Sequence, residues 1–200
     1  MHIESPVFSP NGLIPSQYTC DGENISPPLI FSDIPAGTES MAMIVDDPDA
    51  PSGSWIHWIV WNISPSIHEI AKDTVPQGAV EGITSFGTAG YGGPCPPSGV
   101  HRYLFKVFAL DTLLDLGPEV SKQTLEQEME NHSIDTAELI GLYTRNWFFS
   151  LWIRNNFFNP LFRFFFHSLF GQVCGKELRF GNPLGWVVRD GLLRCLFLIQ

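Results

Sequence analysis

Carboxylates, imidazoles and a phenol gather at three short stretches of the sequence, and these are side chains that could ligate a metal, serve hydrolysis or hold an ion. The first stretch is Asp46-Asp47-Pro48-Asp49-Ala50-Pro51. Prolines at 48 and 51 fix φ and remove amide donors, so the acidic side chains are held in a stiff turn. The second is Trp55-Ile56-His57-Trp58, where alternation along a strand places Trp55 and His57 on one face and Ile56 and Trp58 on the other. The third is His101-Arg102-Tyr103, in which His101 and Tyr103 likewise share a face. Gly92-Gly93-Pro94-Cys95-Pro96-Pro97 precedes it and could form a rigid wall. Asp47, Asp49, His57 and His101 are the available metal ligands, yet they include no tight pair such as His-x-x-x-His. A metal-dependent hydrolase built on the same residues is therefore the lesser alternative. No Gly-x-Ser-x-Gly elbow is present, and no glycine-rich phosphate loop ends in Lys and Ser or Thr. The plain reading of each stretch is also on the table: a solvated loop, a core histidine donating to a backbone carbonyl, packing residues and core tryptophans.

Positioning these groups requires short strands. Residues 5–38 are broken up by prolines and glycines, with apolar runs such as Leu29–Phe31 between them, which reads as strands and turns. Ser40–Val45, Trp55–Ile63 and Tyr103–Leu110 are the expected buried strands. Gly82–Gly99 holds six glycines and three prolines, so a loop is expected there. One helix is expected over Lys122–Asn131, capped by Ser121, with Leu125 and Met129 one turn apart. Ile134 to Tyr143 then reads as a final short strand or turn. The fold class is all-β, a Greek-key β-sandwich with one late helix, preferred over a barrel.

Charge divides the chain. Residues 1–145 carry 5 of the 11 Lys and Arg and 19 of the 21 Asp and Glu, whereas residues 146–200 are net basic and hold 11 of the 16 Phe. The acidic segment argues against nucleic acid as a partner, since phosphate backbones are bound chiefly through Lys and Arg. The start, Met-His-Ile-Glu-Ser-Pro, lacks a secretory n-region and apolar run. Cys20, Cys95, Cys174 and Cys195 are widely spaced and support neither a zinc knuckle nor a dense disulfide framework, so a reducing cytoplasm is expected. Two segments follow, a domain over 1–145 and an atypical aromatic-rich tail over 146–200. The tail reads as a non-native or disordered extension, with a membrane-surface segment as its alternative.

Several ordered motifs resemble the phosphatidylethanolamine-binding protein family, and within it the short bacterial and archaeal Raf-kinase-inhibitor-like branch. They are Asp-Gly-Glu-Asn-Ile-Ser-Pro-Pro-Leu at 21–29, Asp-Pro-Asp-Ala-Pro at 47–51, His-Trp at 57–58 with Asn62, Gly-Pro-Cys-Pro-Pro at 93–97, Gly-Val-His-Arg-Tyr at 99–103 and Thr136 to Tyr143. The likeness spans roughly residues 1–145. It implies a β-sandwich with a small cavity for phosphate-like groups, lined by Asp47, His57 and His101 and walled by Pro51, Trp55, Pro96, Pro97 and Tyr103. An anion beside Asp47 is tolerated if a neighbouring imidazole is protonated, or if the ligand brings a proton or an ammonium group. A phospholipid head group carrying both phosphate and amine suits such a pocket, and amides of the glycine-rich loop could add donors. The expectation is a cytoplasmic binding protein and no enzyme, without cofactor or metal. Its ligand is a small phosphate-like anion or head group, and the resemblance adds a kinase or protease as protein partner and a homodimer.

Overall fold

The computed structural model of the chain describes residues 1–145. The readings made for the 146–200 tail fall outside the described residues. Nine strands and one α-helix follow in order: β1 (His2–Glu4), β2 (Gly12–Leu13), β3 (Leu29–Ser32), β4 (Ser40–Asp47), β5 (Trp55–Ile63), β6 (Glu69–Ile70), β7 (Val80–Glu81), β8 (Val100–Leu110), α1 (Lys122–Met129) and β9 (Ser133–Thr144). They form a six-stranded sheet in the order β2-β9-β8-β4-β5-β7 and a three-stranded sheet in the order β1-β3-β6. The β4–β5 and β8–β9 antiparallel pairs meet along β4 and β8, and β2 joins the edge parallel to β9.

Alternation explains the layering. Met41, Met43 and Val45 of β4 pack with Trp58 and Val60 of β5, Tyr103, Phe105 and Val107 of β8, and Ile3, Leu29 and Phe31 of the small sheet. That cluster fills the space between the two sheets. The intervening residues Ala42 and Ile44 face the other way and pack with Ile59, Trp61, Leu125 and Met129, so α1 covers the outer face of the large sheet. Every residue of β4 is consequently buried. This makes an all-β sandwich with one late helix, as the sequence predicts. Ser121 caps α1, its Oγ accepting from the Thr124 amide at 3.3 Å.

Two sequence expectations are corrected, and one cross-link is found that the sequence does not announce. Ile56 and Trp58 do not share a face: Val45 pairs with Trp58 but Asp46 pairs with Ile56, so His57 is an extra residue in β5. This β-bulge turns Ile56 toward the helix side while Trp58 enters the inter-sheet core. The last strand is long rather than short; β9 pairs with β8 from Val100↔Thr144 to Leu110↔Ser133. Its first half is exposed or half-buried, so polar residues such as Asp135, Thr136 and Glu138 obscure its strand character. Finally, Cys20 and Cys95 are joined in a disulfide across 75 residues of sequence. Spacing alone carries no sign of this, because the pairing is made by the turn after Tyr18 meeting the proline-rich loop.

Candidate functional site

The site forms where β4, β5 and β8 end. β4 continues past Val45 through Asp46 and Asp47, so the two acidic residues lie in the strand, on opposite faces. Asp47 takes the inter-sheet side. Its Oδ1 accepts the Asp49 amide at 2.8 Å, closing a turn that fixes the carboxylate, and its Oδ2 lies 2.7 Å from His101 Nδ1. A carboxylate accepts, so Nδ1–H donates and Nε2 is the ring atom left for a ligand. The pair is buried, with side-chain exposures of 8% for His101 and 5% for Asp47.

His57 sits in the β5 bulge. Its Nδ1 lies 2.6 Å from the Gly92 carbonyl oxygen, while the Gly92 amide donates back to the His57 carbonyl at 2.8 Å. A carbonyl only accepts, so Nδ1 carries the proton here as well. Burial, the largest influence, pushes the His57 imidazole below its ordinary pKa, against the Gly92 carbonyl and the charges of Asp47 and Asp46. A neutral ring with Nδ1–H leaves Nε2 as an acceptor. The backbone-bonded core histidine and the site histidine are thus one and the same arrangement.

Tyr103 lies between these groups. Its ring meets His57 edge-on at 5.1 Å, and it is fully buried. Burial and then the Asp47 charge push its phenol far above the usual value, so it stays protonated. Its Oη makes no hydrogen bond of good geometry among the described residues, although the Asp47 carboxylate and the Cys95 backbone lie close enough to act on it. A buried hydroxyl beside a carboxylate and an imidazole, without a well-formed hydrogen bond, has capacity left for a polar ligand.

The remaining wall residues are placed unevenly. Trp55 meets Phe86 edge-on at 5.6 Å, and Phe86 meets His57 at 5.5 Å. Phe86, at the tip of the loop before Gly92, has no motif to mark it, and the sequence reading missed it. Pro96 is buried, whereas Pro51 and Pro97 are exposed. The loop is not a source of free amides at its start, because Gly92 N serves His57 and Gly93 N donates to Asn24 Oδ1 at 2.8 Å. All peptide bonds of the described residues are trans. A cavity of about 250 Å³ lies against this loop, among Cys20, Asn24, Thr84, Phe86, Tyr91 and Cys95; Asp47, His57 and His101 do not line it.

The four residues named as metal ligands do not all converge. Asp49 is taken by Arg102, whose Nε and Nη2 donate at 2.9 and 2.6 Å. That guanidinium holds the Asp49 carboxyl down to about 2. Asp46, on the helix side, accepts from Ser54 Oγ at 2.7 Å, Lys106 Nζ at 3.1 Å and Lys122 Nζ at 2.8 Å. Burial raises its pKa, but these donors outweigh burial and lower it overall. Among the described residues no group of three or more His, Cys, Asp or Glu is placed to hold a metal ion.

Comparison with known proteins agrees with the motifs. Residues 4–144 match the phosphatidylethanolamine-binding protein family. A UPF0098 protein of Methanothermobacter thermautotrophicus is 51% identical over 150 residues, covering 72% of this chain and 99% of the relative. A UPF0098 protein of Chlamydia muridarum is 46% identical over 151 residues, covering 73% of this chain and all of the relative. Among solved structures, a Chlamydia trachomatis homologue of phosphatidylethanolamine-binding protein superposes with a TM-score of 0.70 at 43% identity, covering 72% of this chain and 97% of that one. Escherichia coli YbcL, described as a new member of the mammalian family, gives 0.69 at 34%, covering 72% and 98%. With its motifs, its sandwich and these relatives in agreement, the chain belongs to the phosphatidylethanolamine-binding protein family, in its bacterial and archaeal branch.

Proposed function

We propose that the chain is a non-catalytic binding protein that takes small phosphate esters or phospholipid head groups between Asp47, His57 and His101. The observation that carries this reading is the different backing of the two imidazoles. His101 gives its Nδ1–H to a carboxylate 2.7 Å away, and a ligand that brings an acidic proton to Nε2 leaves an ion pair balanced by Asp47. His57 is kept neutral by burial with its proton on Nδ1, so its Nε2 accepts. A ligand offering P–OH or N–H groups beside its anionic oxygens satisfies both rings; a fully deprotonated anion brings a proton to neither. Nothing in this arrangement resembles an activated nucleophile: of the two serines three residues from a site histidine, Ser54 is bonded to Asp46 on the other face and Ser98 is exposed.

The family resemblance adds a regulatory role toward a kinase or protease and a homodimer. A cytoplasmic location no longer draws support from cysteine spacing, because structural disulfides persist in oxidising compartments. Among the described residues no helix is long and apolar enough to cross a membrane.

Calorimetric titration with phosphorylethanolamine and with orthophosphate tests the site. Saturable binding by the native chain, lost in Asp47→Ala/His101→Ala and weakened in Asp47→Asn, is expected. Unchanged binding in the double variant would place the ligand elsewhere.

A further inference from the structure

The Cys20–Cys95 disulfide touches the supports of both histidines, and the route can be followed bond by bond. From Cys95 the chain runs back to Gly92, whose carbonyl and amide hold His57. From Cys20 it runs on to Asp21, whose Oδ2 accepts from Tyr143 Oη at 2.9 Å, and Tyr143 stands opposite His101 in the β8–β9 register. The loop between is poorly suited to hold itself. Pro94, Pro96 and Pro97 have no amide to donate, and Gly92 and Gly93 are backbone positions with large conformational freedom. Its other ties to the 18–24 segment are three hydrogen bonds: Cys20 N to the Pro94 carbonyl at 3.1 Å, Gly93 N to Asn24 at 2.8 Å and Tyr91 Oη to the Tyr18 carbonyl at 2.9 Å. Gly93 also lies so close to Tyr18 and Thr19 that an added Cβ would meet their backbone at 2.7–2.8 Å. The loop must therefore seat tightly on the Tyr18–Cys20 turn to reach His57 at all.

The same disulfide is open to a reagent. Cys95 is an exposed residue, and both cysteines line the cavity of about 250 Å³ against the loop. Burial protects structural cross-links from thiols; a cross-link lining a solvent-facing cavity lacks that protection.

We propose that Cys20–Cys95 is a thiol-exchange site that controls the pocket: oxidised, it straps the Gly92 loop onto His57, and reduced, it lets that loop go. This rests on the anion-binding reading of the pocket. The reductant is a dithiol. Its first thiolate attacks Cys95 Sγ, the Sγ–Sγ bond breaks and Cys20 leaves as a thiolate that takes up a proton. The second thiol of the reagent, as thiolate, then displaces Cys95, which leaves as a thiolate and is protonated in turn. Two electrons and two protons pass to the protein, and the dithiol becomes a disulfide. The pocket would then be complete only in a chain that has met oxidising conditions.

The test uses the full chain with Cys174→Ser and Cys195→Ser, so that this pair alone responds. The oxidised protein, the protein reduced with dithiothreitol, and the same sample reoxidised are compared by mass, by circular dichroism, by histidine ring 15N spectra and by phosphorylethanolamine titration. The expected result is a folded reduced protein in which the His57 ring loses its Nδ1–H signature and the ligand binds about tenfold more weakly, with both restored on reoxidation; a tenfold loss corresponds to about 1.4 kcal/mol. A folded reduced protein with unchanged His57 signals and unchanged affinity would overturn the proposal. So would a reduced protein that unfolds globally, since the link would then be a stabilising staple. If the oxidised chain binds no ester, the functional reading falls instead, and the His57 ring signals alone decide the strap.

Discussion

At the scale of single residues, two groups set how the protein responds to acid. His57 is buried and neutral, with its pKa pushed below the ordinary value of about 6.5. The unfolded chain takes up a proton there that the folded chain refuses. Stability from this source is present above pH of about 6.5 and is lost as pH falls below it. Denaturant midpoints measured between pH 8 and 5 are expected to decline less steeply in His57→Gln than in the native chain. Asp49 contributes in a lower window. Its carboxyl is held near 2 by Arg102, so the stability it adds is present above pH of about 4 and is lost as pH falls toward 2. Arg102→Leu should flatten acid unfolding in that range and leave the range near neutrality alone. Asp47 has a different part: Asp47→Ala leaves the buried Nδ1–H of His101 without its acceptor, which costs about 1–3 kcal/mol. Asp47→Asn keeps an acceptor for Nδ1–H, so it should fold well and lose affinity, which separates binding from stability.

At the scale of elements, the bulge in β5 is what makes the site. It lets His57 reach Gly92 and Tyr103 while Trp58, one residue later, stays in the core and donates to Glu81 at 2.6 Å. Regular alternation predicts Ile56 and Trp58 together, and only cross-strand pairing to Asp46 reveals the extra residue. The three long apolar strands and the helix were legible because their burial is written as apolar runs or one-turn spacing. β9 was legible only at its buried end. Asp46 and Asp47 look like one acidic turn in the sequence; as strand neighbours they serve separate faces, one bound by two lysines and the other by a histidine. Lys106 and Lys122 come to Asp46 from β8 and α1, and that meeting has no local signal. Gly92 offers a check on the loop's seating. A Cβ there would collide with the half-exposed Phe86 ring, so Gly92→Ala should push Phe86 off His57 at a stability cost of about 1 kcal/mol or less. Urea unfolding reads the stability, and the His57 ring signals read the displacement.

At the scale of the molecule, the disulfide and the family match each lead to an expectation. A cross-link closing 75 residues removes unfolded-state entropy, about 4 kcal/mol in the chain-entropy treatment. Cys20→Ser/Cys95→Ser should therefore lower the unfolding free energy read from urea titration by that amount or less, with the chain still folded in water. Relatives matched over 99–100% of their own length correspond to 72–73% of this chain. A chain ended after Arg145 is accordingly expected to bind phosphorylethanolamine as the full chain does, which parallel titrations check. The motifs at 47–51, 57–58, 93–97 and 99–103 made the pocket legible before any coordinates, because each is contiguous in sequence. The 20–95 link and the Phe86 contact join distant segments and had to be seen in the fold.

The central claim is that Asp47, His57 and His101 form one anion-binding site. Histidine ring 15N spectra followed through a phosphorylethanolamine titration test it most directly, since the chain has six histidines and the site contains two. The account predicts that His57 and His101 shift together along one saturable curve, each keeping its Nδ1–H, while His2, His68 and His132 stay still. Shifts confined to those three exterior histidines, or shifts at His57 and His101 that never saturate, would contradict it.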